Sequence, residues 1–331
     1  MLINPSSFVF STTLVLGTMI SISSSSWLGM WMGLEMNLLS FVPLINKGKS
    51  PYETESAMKY FLVQAMASIL FLIAVLSNEV YINMTENTSY YLISSALLMK
   101  MGAAPFHFWF PGVMEGIDWM GCFILMTWQK LAPFVLISYK MMNNLIMSVI
   151  FMSTLIGSVG GLNQNSMRKI MAYSSISHLG WMLSAMMISN NLWTTYFIIY
   201  SLLNMAVIYL FYSQSMYQLS QSYFIKNNPL MKFSMMISML SLAGLPPFLG
   251  FLPKWLVIQN LVSQSYFIML TFMVMTTLMT LYFYMRVMFS AFMFMSQESK
   301  WMSTKTSNEF ISMILILSII GIPITTWMMI Y

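Results

Sequence analysis

From Ile170 to Ile225 the chain carries no Asp, Glu, Lys or Arg. A spanning helix needs about 20 apolar residues, so this run alone is long enough for two spans. Inside lipid only helices and closed barrels satisfy every backbone N–H and C=O, and these runs lack the alternating polar period of barrel strands. The chain is therefore read as an all-α integral membrane protein. Composition agrees: of 331 residues, 58% are hydrophobic and 7% charged, against about 25% charged in a soluble domain.

Polar and Gly/Pro/Asn clusters divide the chain into eleven expected helices, over 3–23, 26–45, 57–77, 88–112, 119–139, 144–162, 167–188, 192–213, 232–262, 265–291 and 309–330. No segment between them is large enough for a soluble domain. The whole of 1–331 reads as one transmembrane domain: an N-terminal three-helix segment over 1–87, a first repeat over 88–213 and a second over 232–331. The first helix is expected to stay as an uncleaved span, because no basic segment precedes it and Glu35 is the first charged side chain. Cys122 is the single cysteine, so this chain offers neither an internal disulfide nor a cysteine-ligated cluster.

With eleven alternating spans, Lys47, Lys49, Lys59, Arg168, Lys169, Lys226, Lys232, Arg286, Lys300 and Lys305 fall on the N-terminal side and Lys140 alone on the other. This asymmetry places the N-terminus in the compartment of synthesis. The net charge of +5 is then mostly topology, and no nucleic-acid partner is expected.

Two stretches share the pattern G-x-x-P-F-x-x-x-x-P: GAAPFHFWFP, with Gly102, Pro105 and Pro111, and GLPPFLGFLP, with Gly244, Pro246, Pro247 and Pro253. They fall in the fourth and ninth helices, which an odd number of crossings places in opposite senses. Inverted repeats with interrupted helices in corresponding positions point to a transport pathway near the midplane. Gly and Pro are also common in membrane helices, so chance similarity is the competing reading. Prolines lack a backbone donor, so Pro105 is expected to free the carbonyl of Met101, and Pro246 and Pro247 those of Leu242 and Ala243. A lysine accompanies each break, Lys100 before the first and Lys254 after the second.

The ionisable residues placed well inside the bilayer are Glu35, Lys100, Lys130, His178 and Lys254, with His107 beyond the first break. Each full charge at a helix centre costs about 2.5–3.5 kcal/mol on insertion scales, so stability alone would not retain four of them. Lys130 lies too deep in its expected helix to snorkel; Lys59, Lys140 and Arg286 are near ends and can. Glu35 and Lys100 are opposite charges near mid-depth and would offset each other's desolvation if they met. His178 suits a proton relay and equally a hydrogen-bonded structural role. His107 is a possible relay. Two histidines on separate helices are haem-ligand types, but nothing in their spacing singles that out. Dispersed titratable groups among Ser, Thr, Tyr and Asn favour a proton wire over a cage for a solute.

WMGLEMNLLSFVPLI around Glu35, LLMKMGAAPFHFWFPGVMEG around Lys100, WQKLAPF around Lys130, RKIMAYSSISHLGWM around His178 and LSLAGLPPFLGFLPKW around Lys254 together resemble the chain 2 family of NADH-ubiquinone oxidoreductase. Its members are mitochondrially encoded, antiporter-like membrane-arm subunits of respiratory complex I, and the likeness runs in the same order along essentially the whole chain. The resemblance implies two inverted five-helix repeats, each with a broken helix, in the shortened animal form. It implies that Glu35 and Lys100 form the family's Glu–Lys pair, Lys130 its central lysine, His178 a histidine on the hydrophilic axis and Lys254 the lysine of the second broken helix. It further implies the mitochondrial inner membrane, with the N-terminus in the matrix and the C-terminus in the intermembrane space. Neighbouring and supernumerary complex I subunits and bound phospholipids are its expected partners. NADH, FMN, iron-sulfur clusters and ubiquinone are expected on partner subunits and no cofactor or metal on this chain. The 40 methionines fit a genetic code that reads AUA as Met, although Met is also a tolerated apolar filler.

Three other readings remain. A stand-alone cation/proton antiporter would share the broken helices and lysines, and a purely structural subunit would use the charges to lock helices together. A transporter of another membrane would expose Asn83 and Asn87 as glycosylation acceptors.

Overall fold

The computed structural model describes residues 5–48, 50–80, 86–221 and 229–292. All named elements among them are helices: α1 Pro5–Ser23, α2 Trp27–Ile45, α3 Pro51–Val80, α4 Glu86–Met101, α5 Trp109–Gly116, α6 Trp119–Met126, α7 Trp128–Tyr139, α8 Asn143–Gly161, α9 Met167–Ile188, α10 Asn190–Ser213, α11 Pro229–Ala243, α12 Phe251–Ser263 and α13 Phe267–Phe292. The expected span over 309–330, Lys49, Lys226, Lys300, Lys305 and Asn83 lie outside the described residues. So does the side chain of Asn87.

Among the described residues seven stretches are long and apolar enough to cross a membrane: Pro5–Ser23, Trp27–Ile45, Pro51–Ser77, Trp119–Tyr139, Asn143–Gly161, Asn190–Ser213 and Phe267–Phe289. Helix α9 falls outside this group although its bounds match expectation, because it carries Ser174, Ser175, Ser177, His178 and Ser184, all buried. The serine hydroxyls of α9 donate to carbonyls one turn back, at 2.7–2.8 Å, which satisfies them without a partner helix. Helix α3 starts earlier than expected, at Pro51, where a proline's missing N–H costs nothing.

Contacts divide the chain into two compact units, meeting in sequence between Met152 and Ser153. In the first, α1 and α2 cross at backbone contact: a Cβ at Gly33 would lie 2.5 Å from the Ser21 nitrogen, the close approach that small residues permit between membrane helices. Helix α2 opens with Ser26 accepting from the Gly29 N–H at 3.3 Å, an N-cap. In the second unit, α9 and α10 pack together and α11, α12 and α13 gather on them.

The fourth and ninth expected helices are each in two pieces, α4 with α5 and α11 with α12. The residue that ends the first piece is glycine, not proline. Gly102 has φ +72° and Gly244 φ +80°, a left-handed conformation that only glycine adopts at no cost. In the first break Gly102 N–H donates to Met99 O and Ala103 N–H to Leu98 O, both at 3.1 Å. In the second Gly244 N–H donates to Ser241 O at 3.1 Å and Leu245 N–H to Leu240 O at 3.4 Å. Both are Schellman caps, which satisfy carbonyls that a helix end would orphan. Pro105, Pro246 and Pro247 follow caps already closed, so they do not themselves release the carbonyls. Pro111 and Pro253 each sit third in the next helix, where the backbone N–H has no intrahelical partner to lose.

Candidate functional site

Lys100 lies in the last turn of α4, where the negative end of a half-helix favours a cation. Gln64 of α3 donates to the Lys100 carbonyl at 3.1 Å, and Trp109 Nε1 donates to Met99 O at 3.2 Å. The Lys100 ammonium is buried and has no hydrogen-bond partner among the described residues. It lines a small cavity with Leu34, Asn37, Leu38, Tyr60, Gln64, Gln129 and Pro133. The cavity is small, at the lower edge of what one water requires.

Glu35 is half-buried on α2. It is near enough for its charge to act on Lys100, but the two form no direct ion pair; the ion pairs among the described residues are Lys47–Asp118 at 3.0 Å and Lys59–Glu55 at 2.6 Å. Glu35 and Lys100 thus do not meet as a direct ion pair.

Lys130 is 1% exposed, but it is not deep within one continuous helix. The chain is interrupted at Thr127, and Lys130 is the third residue of α7, its N–H donating to Thr127 O at 3.1 Å. Pro133 withholds the donor that would serve the Gln129 carbonyl, which weakens the helix at this turn. The Lys130 ammonium lies 5.2 Å from the centre of the Phe110 ring, a cation–π distance. Phe110 also packs on Gly102, whose notional Cβ would be 3.1 Å from the Phe110 Cβ. His107, in the link between α4 and α5, is buried, with Nδ1 at 3.2 Å from Pro105 O and its ring against Phe108.

In the second unit Lys254 occupies the first turn of α12 and is buried. It does not snorkel to a surface; its ammonium reaches back across the break and donates to Ala243 O at 2.7 Å. Trp181 of α9 presents its ring 5.9 Å from that nitrogen. His178 lies on α9 with Nδ1 at 2.9 Å from the Tyr196 hydroxyl and its ring 5.1 Å from that of Tyr200. Tyr200 interacts with Asn204 and Ser175, and Tyr284 of α13 with Ser174. Arg286 binds the carbonyls of Leu162, at 2.7 Å, and Gln164, holding α13 to the turn after α8. Among the described residues no group of three or more His, Cys, Asp or Glu converges as a metal site would.

The first unit thus holds Lys100 and Lys130 around one break, and the second holds His178 and Lys254 around the other. The chain matches the family described as NADH:quinone oxidoreductase/Mrp antiporter, TM, over residues 24–280. It is 51% identical to NADH-ubiquinone oxidoreductase chain 2 of Anopheles gambiae, covering 95% of this chain and 94% of that one. To the same chain of Oryctolagus cuniculus it is 41% identical over 95% of each. The chain belongs to the NADH-ubiquinone oxidoreductase chain 2 family. Its fold matches a chain of respiratory complex I from Thermus thermophilus with TM-score 0.83 at 22% identity, covering 95% of this chain and 76% of that one. A chain of the Mrp complex from Dietzia matches with TM-score 0.74 at 18% identity, covering 91% and 63%. It is an all-helical, multi-pass membrane protein with the antiporter-like fold.

Beside its charged residues, this chain 2 member has a set of buried neutral polar groups that sequence inspection passed over. Asn37, Tyr60, Gln64, Tyr196, Tyr200 and Asn204 are each at most 4% exposed. Uncharged amides and phenols add nothing to a charge count. Their presence on apolar spans was the available clue, since a buried polar group needs a partner.

Proposed function

We propose that this chain is a proton-translocating membrane-arm subunit of NADH:ubiquinone oxidoreductase in the mitochondrial inner membrane, driven by electron transfer from NADH to ubiquinone in partner subunits. NADH, FMN, the iron-sulfur clusters and ubiquinone belong to those partners. The remaining complex I subunits, supernumerary ones included, and phospholipids surround it. The N-terminus faces the matrix and the C-terminus the intermembrane space, and residues 88–213 and 232–331 form the two inverted repeats.

The observation that carries this reading is three lysines, Lys100, Lys130 and Lys254, at most 7% exposed within an apolar helical chain. Charges there are costly and mark ion pathways. Lys100, Lys130, His178 and Lys254 carry the proton in this reading, Glu35 modulates Lys100 through its field, and His107 assists near the first break. Replacing Lys130 by Met tests it. The complex should assemble and oxidise NADH when uncoupled, while proton uptake per NADH falls. Unchanged pumping would favour charges that only lock helices together. Na⁺/H⁺ exchange by the purified chain without partners would favour the stand-alone antiporter, the second reading that the family description admits.

A further inference from the structure

On its α7 side the Lys100 cavity is lined by Pro133 and by one polar side chain held from both ends. Gln129 Nε2 donates to Asn37 Oδ1 at 2.9 Å, and Gln129 Oε1 accepts from the Tyr60 hydroxyl at 3.3 Å. The three residues come from α7, α2 and α3, and all three line the cavity. In this arrangement the carboxamide uses its donor on Asn37 and its acceptor on Tyr60, so both ends of the side chain are held at once.

Tyr60 is itself fixed. Its ring meets Phe41 edge-on at 5.2 Å and Trp109 at 5.8 Å. Trp109 is the same residue that caps Met99 O at the first break, and its neighbour Phe110 carries the Lys130 ammonium. Contacts therefore run from the break to Gln129 through Trp109 and Tyr60, and to Lys130 through Phe110. Gln129 and Lys130 are consecutive on α7.

We propose that Gln129 is a positioning residue for proton transfer, its clamped carboxamide closing the Lys100 cavity toward α7 with a hydrogen-bonded wall that does not itself carry protons. A carboxamide offers donors and an acceptor but has no ionisable proton near neutrality. It can therefore line a polar cavity beside a lysine without becoming that lysine's proton partner. A carboxylate of the same shape would do the opposite, pairing with Lys100 inside a low-dielectric site.

The proposal rests on the reading of Lys100 as a proton carrier, and the experiment separates the two. Assembled complex carrying Gln129→Glu, Tyr60→Phe or Lys100→Met is reconstituted into vesicles, and proton uptake is measured per NADH oxidised, with uncoupled NADH oxidation as the activity control. Gln129→Glu should lose most of the uptake per NADH while uncoupled oxidation persists. Tyr60→Phe, which keeps the ring and frees Oε1, should lower the ratio partly. A purely structural role would lower the amount of assembled complex and leave the ratio of what assembles at its normal value. If Gln129→Glu fails to assemble, Tyr60→Phe decides alone. A normal ratio in the assembled Gln129→Glu or Tyr60→Phe complex overturns the proposal when Lys100→Met abolishes uptake. A normal ratio in Lys100→Met overturns the reading beneath it.

Discussion

Helix α4 and helix α11 end in the same Schellman cap, at Gly102 and Gly244, yet their lysines are placed on opposite sides of it. Lys100 precedes the cap by two residues, its carbonyl held by Gln64 and its ammonium without a partner among the described residues. Lys254 follows its cap by ten residues and spends its ammonium on Ala243 O, the last carbonyl of the half-helix it faces. The links differ too. Gly250 folds back onto α11, where a Cβ would stand 1.7 Å from Ser241 O, whereas its counterpart in the first motif, Phe108, is 82% exposed. One break thus leaves its lysine ammonium without a hydrogen-bond partner among the described residues, and the other ties its lysine back across the gap as a staple.

The largest contrast is expected at the links. Gly250→Ala forces a methyl group into a backbone carbonyl that cannot move aside as a side chain can, which costs about 3 kcal/mol, the upper end for overpacking. Phe108→Ala at the corresponding position of the first break removes an exposed ring and should change stability by no more than about 0.5 kcal/mol. Thermal unfolding and yield of the assembled complex report both. Equal losses would mean that the two links are packed alike.

The lysines should differ in sign. Lys254→Met leaves Ala243 O buried without its donor, a loss of about 1–3 kcal/mol. Lys100→Met removes an ammonium with no hydrogen-bond partner and leaves its carbonyl capped by Gln64, so folding stability should hold or rise. Thermal midpoints compared with proton uptake separate the two effects: Lys254→Met should lower both, and Lys100→Met only the uptake. A drop in stability for Lys100→Met would show that the ammonium holds the fold.

Much of this was legible in the chain. The paired motifs located both breaks within a few residues because the same Gly and Pro spacing recurs in both stretches. Which residue performs the break was not legible: Pro105 has the more obvious chemical defect, but Gly102, three residues earlier, had already turned the backbone. Lys130 was placed far from a helix end because Thr127 is not a residue type that breaks helices, and nothing in its local sequence marks the interruption there. The gap between Glu35 and Lys100 depends on how α2 and α4 stand, which spacing along the chain does not encode. The Asn37–Gln129–Tyr60 clamp joins residues 92 and 69 positions apart, with no charge to draw attention to them.

The smallest effect tests whether the staple can be transplanted. Aligning Gly102 with Gly244 puts Gly112 at the position of Lys254, and a Cβ at Gly112 would meet nothing within 4 Å. Gly112→Lys therefore faces no steric obstacle, and replacing a helical glycine should change stability by less than about 1 kcal/mol. The first break, however, already has donors on Leu98, Met99 and Lys100 carbonyls, so a lysine at 112 has less to hold than Lys254 does. It also follows the cap in sequence, whereas Lys100 precedes it. Combined with Lys100→Met, it should restore no proton uptake in reconstituted complex. Restoration would show that any lysine near the first break suffices, and that the side of the cap on which it sits carries no function.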